Sequence, residues 1–231
     1  MNRPYVICHM LQSIDGKVTG KFTTGQSCPS ANEAYYDIHR AYHADGFACG
    51  RITMNESFTH DYMPNLSKFE PTTDLSDYIA KGDYKFFAVA LDRYGRLGWR
   101  DSCIHDDDPG YDKAHIIEIV CEQVDKRYLT YLRSIGVSYI IAGDGEHLEI
   151  DNALEKLKKN FGINKLLLEG GSIINGWFQR EDLIDEVSLV IAPAIASGRE
   201  SPLFYNSKSL DLTHIETRSF TNGVIALRYK R

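Results

Sequence analysis

No run of apolar residues in this chain approaches the ~20 that a membrane-spanning helix needs. The opening MNRPYVICHMLQSIDGK also lacks the apolar core of a secretory signal. Five cysteines (Cys8, Cys28, Cys49, Cys103 and Cys121) are scattered, odd in number and without a C-x-x-C pair, which fits reduced thiols better than a disulfide framework. These absences lead us to expect a cytoplasmic protein with no membrane partner. Positive charge is in deficit too: 26 Lys and Arg stand against 32 Asp and Glu, a formal net charge of −6, which argues against a surface built to hold nucleic acid. None of the eight histidines lies in H-E-x-x-H or in a close His/Cys ligand set, so no metal site is expected. His39 and His43 stand four apart on an expected helix, with no acidic or thiol partner evident in the sequence. G-x-S-x-G, P-loop and G-x-G-x-x-G patterns are missing as well.

What the chain does have is alternation. Strand-like runs at Pro4–Leu11, Gly46–Gly50, Tyr84–Leu91, the HIIEIV stretch after Ala114, Val137–Ala142 and Lys165–Leu168 alternate with helical patterns. Ser30 followed by Glu33 reads as a capping box opening a helix from Ala31 to about Ala44. Further helices are expected at Lys126–Ser134 and from an Asp151 cap to Asn160, closed by Gly162. The long polar stretch Asn55–Asp83 reads as a binding loop with a short helix near Leu75–Ala80. Strand-like pieces at Val187–Ala192, His214–Phe220 and Val224–Tyr229 have few helical signals between them. The pattern predicts one α/β domain over residues 1–231, with a mostly parallel mixed sheet, helices on both faces and an antiparallel C-terminal edge.

Three stretches at strand ends could carry chemistry, because ligands of parallel sheets bind at the strands' carboxyl ends. Leu168-Glu-Gly-Gly-Ser172 joins a strand to a helix, and both a tight turn and a backbone cradle for phosphate fit it. Ser13-Ile-Asp-Gly-Lys17 follows the first strand and reads either as a plain Asp-Gly turn or as a ligand-facing Asp15 and Lys17. After the small-residue run GFACG, Arg51 and Thr53 could meet phosphate or ribose, or simply solvate the next loop. Trp177 and Phe178 stand at helical spacing among apolar neighbours and read as core, while Asp106–Asp108 reads as a solvated acidic loop.

Taken in order, RPYV at Arg3–Val6, SIDGK at Ser13–Lys17, the Ala44–Thr53 stretch (Gly46 standing for a usual Ala), Glu169–Gly171 and Asp182–Pro193 form a set. That set resembles the reductase domain of riboflavin biosynthesis, and the resemblance covers nearly the whole chain. It implies a dihydrofolate-reductase-like three-layer fold and an NADPH-dependent oxidoreductase of the pyrimidine reductase type. Its substrate would be a ribosylaminopyrimidine phosphate, reduced to the ribitylamino form, and the protein would be a homodimer. The resemblance further implies that Gly170, Gly171, Ser172, Ile173 and Ile174 hold the cofactor diphosphate, with Thr53 also beside the cofactor. Ser13, Lys17 and Arg51 would meet substrate, and Glu169 and Asp15 would be the catalytic candidates. Ser57 stands where this family usually carries Asp, and Asp182 where Gly is usual. The H-x-E and P-C-x-x-C signatures of a zinc deaminase are missing, so no deamination is expected. Two other readings stay open: the same fold acting on a pterin, a folate or another small molecule, and a nucleotide-binding protein without turnover. A folate reductase would show an acid and a Leu-Pro-Trp segment soon after the first strand, which this chain does not. For a 2′-phosphate clamp, Lys126 and Arg127 are the candidates.

Overall fold

The computed structural model describes residues 2–24, 28–145 and 147–231. In chain order the elements are β1 (Tyr5–Ser13), α1 (Pro29–Ala41), β2 (Gly46–Gly50), α2 (Arg51–Met54), β3 (Phe87–Leu91), β4 (His115–Val120) and α3 (Lys126–Ser134). There follow β5 (Ser138–Ile141), α4 (Ile150–Phe161), β6 (Lys165–Leu168), α5 (Ser172–Arg180), β7 (Glu186–Ala192), β8 (Thr213–Ser219) and β9 (Ile225–Lys230). The expected α/β class is observed, mostly parallel with antiparallel C-terminal strands. The chain forms two compact units, one of Met1–Pro4 with Asp45–Asn164 and one of Tyr5–Ala44 with Lys165–Arg231.

In the first unit β2 to β5 pair in parallel, in the order β5-β4-β3-β2. All four strands are buried along their whole length, which is why they read as continuous apolar runs rather than alternating ones. The first glycine of GFACG is explained by a neighbouring strand: a Cβ on Gly46 would lie 2.5 Å from the Phe87 carbonyl oxygen of β3. Asp125 caps α3 by accepting the Arg127 backbone N–H at 2.9 Å, and α4 ends on Gly162 in the left-handed region.

In the second unit β1 lies between β6 and β7, parallel to both, and β9 then β8 continue antiparallel beyond β7. Helix α1 packs Ala31, Ala34 and Ile38 against Val190 and Ala192 of β7 and Ala226 of β9. The edge strand β8 is largely exposed and carries Glu216 and Arg218, charges of the kind that discourage edge-to-edge pairing with other chains.

Several boundaries differ from expectation for local reasons. Helix α1 begins one residue before Ser30, with Pro29 in its first turn and Cys28 at the N-cap making no side-chain cap bond. Proline's fixed φ suits a helix start and replaces the expected capping box. No helix forms near Leu75–Ala80. Tyr78 instead exchanges backbone hydrogen bonds with Tyr139 of β5 at 2.9 Å each way, so strand pairing overrides local helix propensity. Helix α4 starts at Ile150, with Glu149 rather than Asp151 at its cap.

Two buried features generate stability predictions. Glu118 of β4 is fully buried, accepting from the indole Nε1–H of Trp99 with the Tyr128 hydroxyl 3.2 Å from the same oxygen. Its other oxygen has no partner among the described residues. Burial and the nearby Asp92 carboxylate push the Glu118 pKa well above its ordinary value of 4.5. The folded state therefore favours the protonated acid, whereas the unfolded chain ionises as pH rises past 4.5, so stability falls with pH above that point. Glu118→Gln removes this dependence. Urea titrations from acid to neutral pH should show the variant gaining on the wild type as pH rises, and a constant difference would contradict the burial argument.

The second feature is Gly176 in α5. A Cβ there would lie 1.8 Å from the Tyr205 carbonyl oxygen, because the segment after Ser201 crosses the helix at this point. Gly176→Ala is expected to lose on the order of 3 kcal/mol in urea unfolding; a loss below ~0.5 kcal/mol would mean that the crossing is not so close.

Candidate active site

In the second unit the expected site residues gather at the carboxyl ends of parallel strands. The first group is the turn after β1. The Ser13 hydroxyl donates to Asp15 Oδ1 at 2.6 Å and accepts the Lys17 backbone N–H at 3.0 Å. Asp15 Oδ1 also accepts the Ala196 N–H at 2.9 Å, which ties this turn to the loop after β7. Those hydrogen bonds, Ser13 first and then Ala196, hold the Asp15 pKa below its ordinary value. Lys17 is half-buried and pairs as an isolated bridge with Pro202. Beside Asp15, Ile14 and Ile195 are largely exposed, an apolar rim around the carboxylate.

The second group is the end of β6. Glu169 is not turned toward solvent. Its side chain is 3% exposed and Oε1 lies 2.7 Å from Nδ1 of His39 on α1. Gly170 follows with φ +100, and the Gly170–Gly171 peptide is cis. Helix α5 then begins with Gly171 at its N-cap and, among the described residues, no side-chain cap bond, so its first turn presents N–H groups and partial positive charge of the kind that suits an anion. Ser172 Oγ and Asn175 Oδ1 are buried and have no hydrogen-bond partner among the described residues. Ile173 is exposed and Ile174 half-buried.

The strap Ser201–Tyr205 joins the two groups. Leu203 N–H donates to the Gly16 carbonyl at 3.2 Å, Tyr205 N–H donates to the Ser172 carbonyl at 3.0 Å, and the Asn175 side-chain amide donates to the Leu203 carbonyl at 3.2 Å. Sequence reasoning missed this strap. Its one signal was Gly176, a glycine inside a helical pattern.

Arg51 and Thr53 lie in α2 of the first unit, directly after the end of β2. Ser57 is exposed in the short π-helical turn Asn55–Thr59 that follows. A second feature of this unit was also missed. The turn after β3 carries Arg93 and Arg96, both placed over the Tyr94 ring, at 4.1 and 5.0 Å from its centroid. Asp92 organises that turn by accepting the backbone N–H groups of Arg96 and Leu97, and Arg51 and Arg96 both act electrostatically on its carboxylate. Arg127 is instead engaged with Asp125 through Nε and Nη2, and Lys126 with the Glu122 carbonyl. His43 is exposed with φ +45, apart from the buried His39.

A pocket of about 200 Å³ opens near the other end of β6, against Lys165, Tyr42, Arg218 and Arg228. Both arginines pair with Glu216, and Arg228 also with Glu186, so their charge is met within the fold and the strand carboxyl ends are the better candidate. No group of three or more potential metal ligands exists among the described residues, and none of their helices is long and apolar enough to cross a membrane.

Comparison with known proteins bears on the family and the fold. The model of the RibD C-terminal domain family matches residues 109–226, just over half of the chain. A 2,5-diamino-6-ribosylamino-4(3H)-pyrimidinone 5′-phosphate reductase of Aquifex aeolicus is 31% identical, over 96% of this chain and 94% of its own. The protein of that name in Methanothermobacter thermautotrophicus is 27% identical, over 90% of this chain and 87% of its own. Among solved structures, a pyrimidine reductase-like protein of Corynebacterium diphtheriae superposes with TM-score 0.68 at 21% identity, covering 99% of this chain and 92% of its own. That likeness shows the shared fold. By the family match and the full-length relative together, the chain belongs to the RibD C-terminal domain family.

Proposed function

We propose that this protein is an NADPH-dependent reductase of 2,5-diamino-6-ribosylamino-4(3H)-pyrimidinone 5′-phosphate, producing the ribitylamino compound in riboflavin biosynthesis. The observation that carries the reading is the 31% identity across 96% of the chain to the Aquifex aeolicus reductase of that substrate. In chemical terms, a hydride adds to ribose C1′ of the ring-opened imine and a proton to the nitrogen, so that C=N becomes CH–NH. A bound nicotinamide would supply the hydride. The protein's own task is alignment and exclusion of water.

The start of α5 fits a cofactor diphosphate. Gly170 and Gly171 bring backbone close without side chains, the uncapped first turn supplies N–H groups, and Ser172 Oγ is a buried group with no partner among the described residues. Ile173 and Ile174 continue that turn, and Thr53 after β2 is proposed as a further cofactor contact. Ser13 and Asp15 are proposed to shape the substrate side, with Lys17 offering its ammonium to the phosphate. Glu169 is proposed to act at the substrate end of β6, from the buried position set by His39. Exposed Ile14, Ile173 and Ile195 are suited to keep water from the reacting carbon.

For NADPH over NADH, the support is the arginine set Arg51, Arg93 and Arg96 at the carboxyl ends of β2 and β3, where a 2′-phosphate would find forked, permanently charged donors. On this reading Arg51 would serve the cofactor rather than the substrate. A homodimer is supported by Ile215 and Ile225, which remain exposed on β8 and β9, and a cytoplasmic setting by cysteines that form no disulfide.

NADPH oxidation monitored at 340 nm with the ribosylamino substrate tests the reading. Turnover with that substrate and none with dihydrofolate is expected, whereas tight NADPH binding without turnover on either would favour a binding protein. Replacing Arg93 and Arg96 by Ala should raise KM for NADPH by about tenfold or more while leaving that for NADH nearly unchanged. An equal rise for both cofactors would remove these arginines from the 2′-phosphate.

A further inference from the structure

Among the polar residues buried in the second unit, three converge near the end of β6: Glu169, His39 of α1 and His9 of β1, with relative exposures of 7%, 3% and 0%. The two histidines differ in what they can offer. His9 Nε2 lies 3.0 Å from the Tyr35 carbonyl oxygen and Nδ1 lies 3.0 Å from Ser188 Oγ. A carbonyl can only accept, so Nε2 carries the proton. Burial holds the His9 pKa below its ordinary value, and in the neutral ring Nδ1 accepts from the serine. His9 also stacks on Tyr35, with ring centroids 4.4 Å apart. Both its nitrogens are thereby engaged away from Glu169.

His39 is the histidine that meets the carboxylate, with Nδ1–H donating to Oε1 at 2.7 Å. A carboxylate at this depth is costly without a directed donor. Two described groups of β1 also feel this carboxylate, and neither matches the His39 contact: burial pushes the Cys8 thiol pKa up, and the nitrogens of His9 are turned to Tyr35 and Ser188. The helix that presents His39 is itself firmly held, since Ala31, Ala34 and Ile38 pack into the core formed with β7 and β9. Glu169 is followed at once by Gly170 and Gly171, which have no side chains to fix their own position.

We propose that His39 is a positioning residue for the reductase reaction: acting through Glu169, it fixes the end of β6 to α1 and thereby sets where the Gly170–Gly171 turn and the start of α5 lie. The proposal rests on the reductase reading above and deepens it, by naming what holds the reacting geometry in place.

The test compares wild type with His39→Ala, His39→Asn, Glu169→Gln and the His39→Ala/Glu169→Gln double variant. It measures kcat, both KM values and urea stability on NADPH and the ribosylamino substrate. In His39→Ala kcat is expected to fall about tenfold to a hundredfold, the scale of an ångström-sized misplacement of reacting groups. His39→Asn, whose amide N–H can take the place of Nδ1–H, should recover most of that loss. The double variant should fall no further than its worse parent, because both changes break one contact. A His39→Ala protein that is less stable yet keeps kcat within about twofold of wild type would overturn the proposal, as would full additivity in the double variant. If His39→Ala does not fold, His39→Phe, which deletes the donor but fills the space, is read by the same criteria. A wild type that turns over no ribosylamino substrate defeats the functional reading and this proposal with it, whereas an active wild type with unaffected variants defeats this proposal alone.

Discussion

The hydrogen bond between Glu169 and His39 concentrates the physical problem of the second unit. A strand of apolar residues must end, turn through two glycines and start a helix that has no side-chain cap among the described residues. Glycines supply the turn but no anchorage, and an uncapped helix start supplies attraction but no rigidity. The residue before the turn is therefore the last one that can be held by its side chain, and it is held at 2.7 Å by a histidine on a well-packed helix. Burying that pair carries a desolvation cost. The cost is consistent with a position selected for geometry rather than for stability.

The same exchange of stability for readiness recurs nearby. Ser172 Oγ and Asn175 Oδ1 are buried without partners among the described residues, although buried polar groups are ordinarily satisfied because leaving them unpaired costs about 1–3 kcal/mol each. The strap Ser201–Tyr205 then compensates in rigidity, binding the Ser13–Lys17 turn and α5 to one stretch of backbone. On the proposed function these elements form one device. A cradle is left polar and unsatisfied, while the groups around it are fixed from behind.

Much of this was legible in the sequence, and what was not has identifiable causes. The buried strands were readable because full burial writes continuous apolar runs, as in HIIEIV for β4, and α3 was readable from its periodicity and its closing Gly136. The strand-end segments could be found because glycine, Asp-Gly and a following helix have local signatures. Partnerships were not readable. Glu169 and His39 are 130 residues apart, and nothing local distinguishes a glutamate that reaches a substrate from one that turns onto a helix. Tyr78 had helical neighbours but a better offer from the backbone of Tyr139. The strap looked like an undistinguished loop, since its bonds are made by backbone atoms that every sequence possesses. Arg93 and Arg96 gained meaning only when they proved to follow the carboxyl end of a parallel strand.

The central claim is that the turn after β6 and the start of α5 seat the cofactor diphosphate, and a crystal structure of the protein with NADPH bound tests it most directly. The account predicts diphosphate oxygens within hydrogen-bond distance of the backbone N–H groups at Gly171–Ile173 and of Ser172 Oγ. A diphosphate bound elsewhere, with those groups still unengaged, would contradict it.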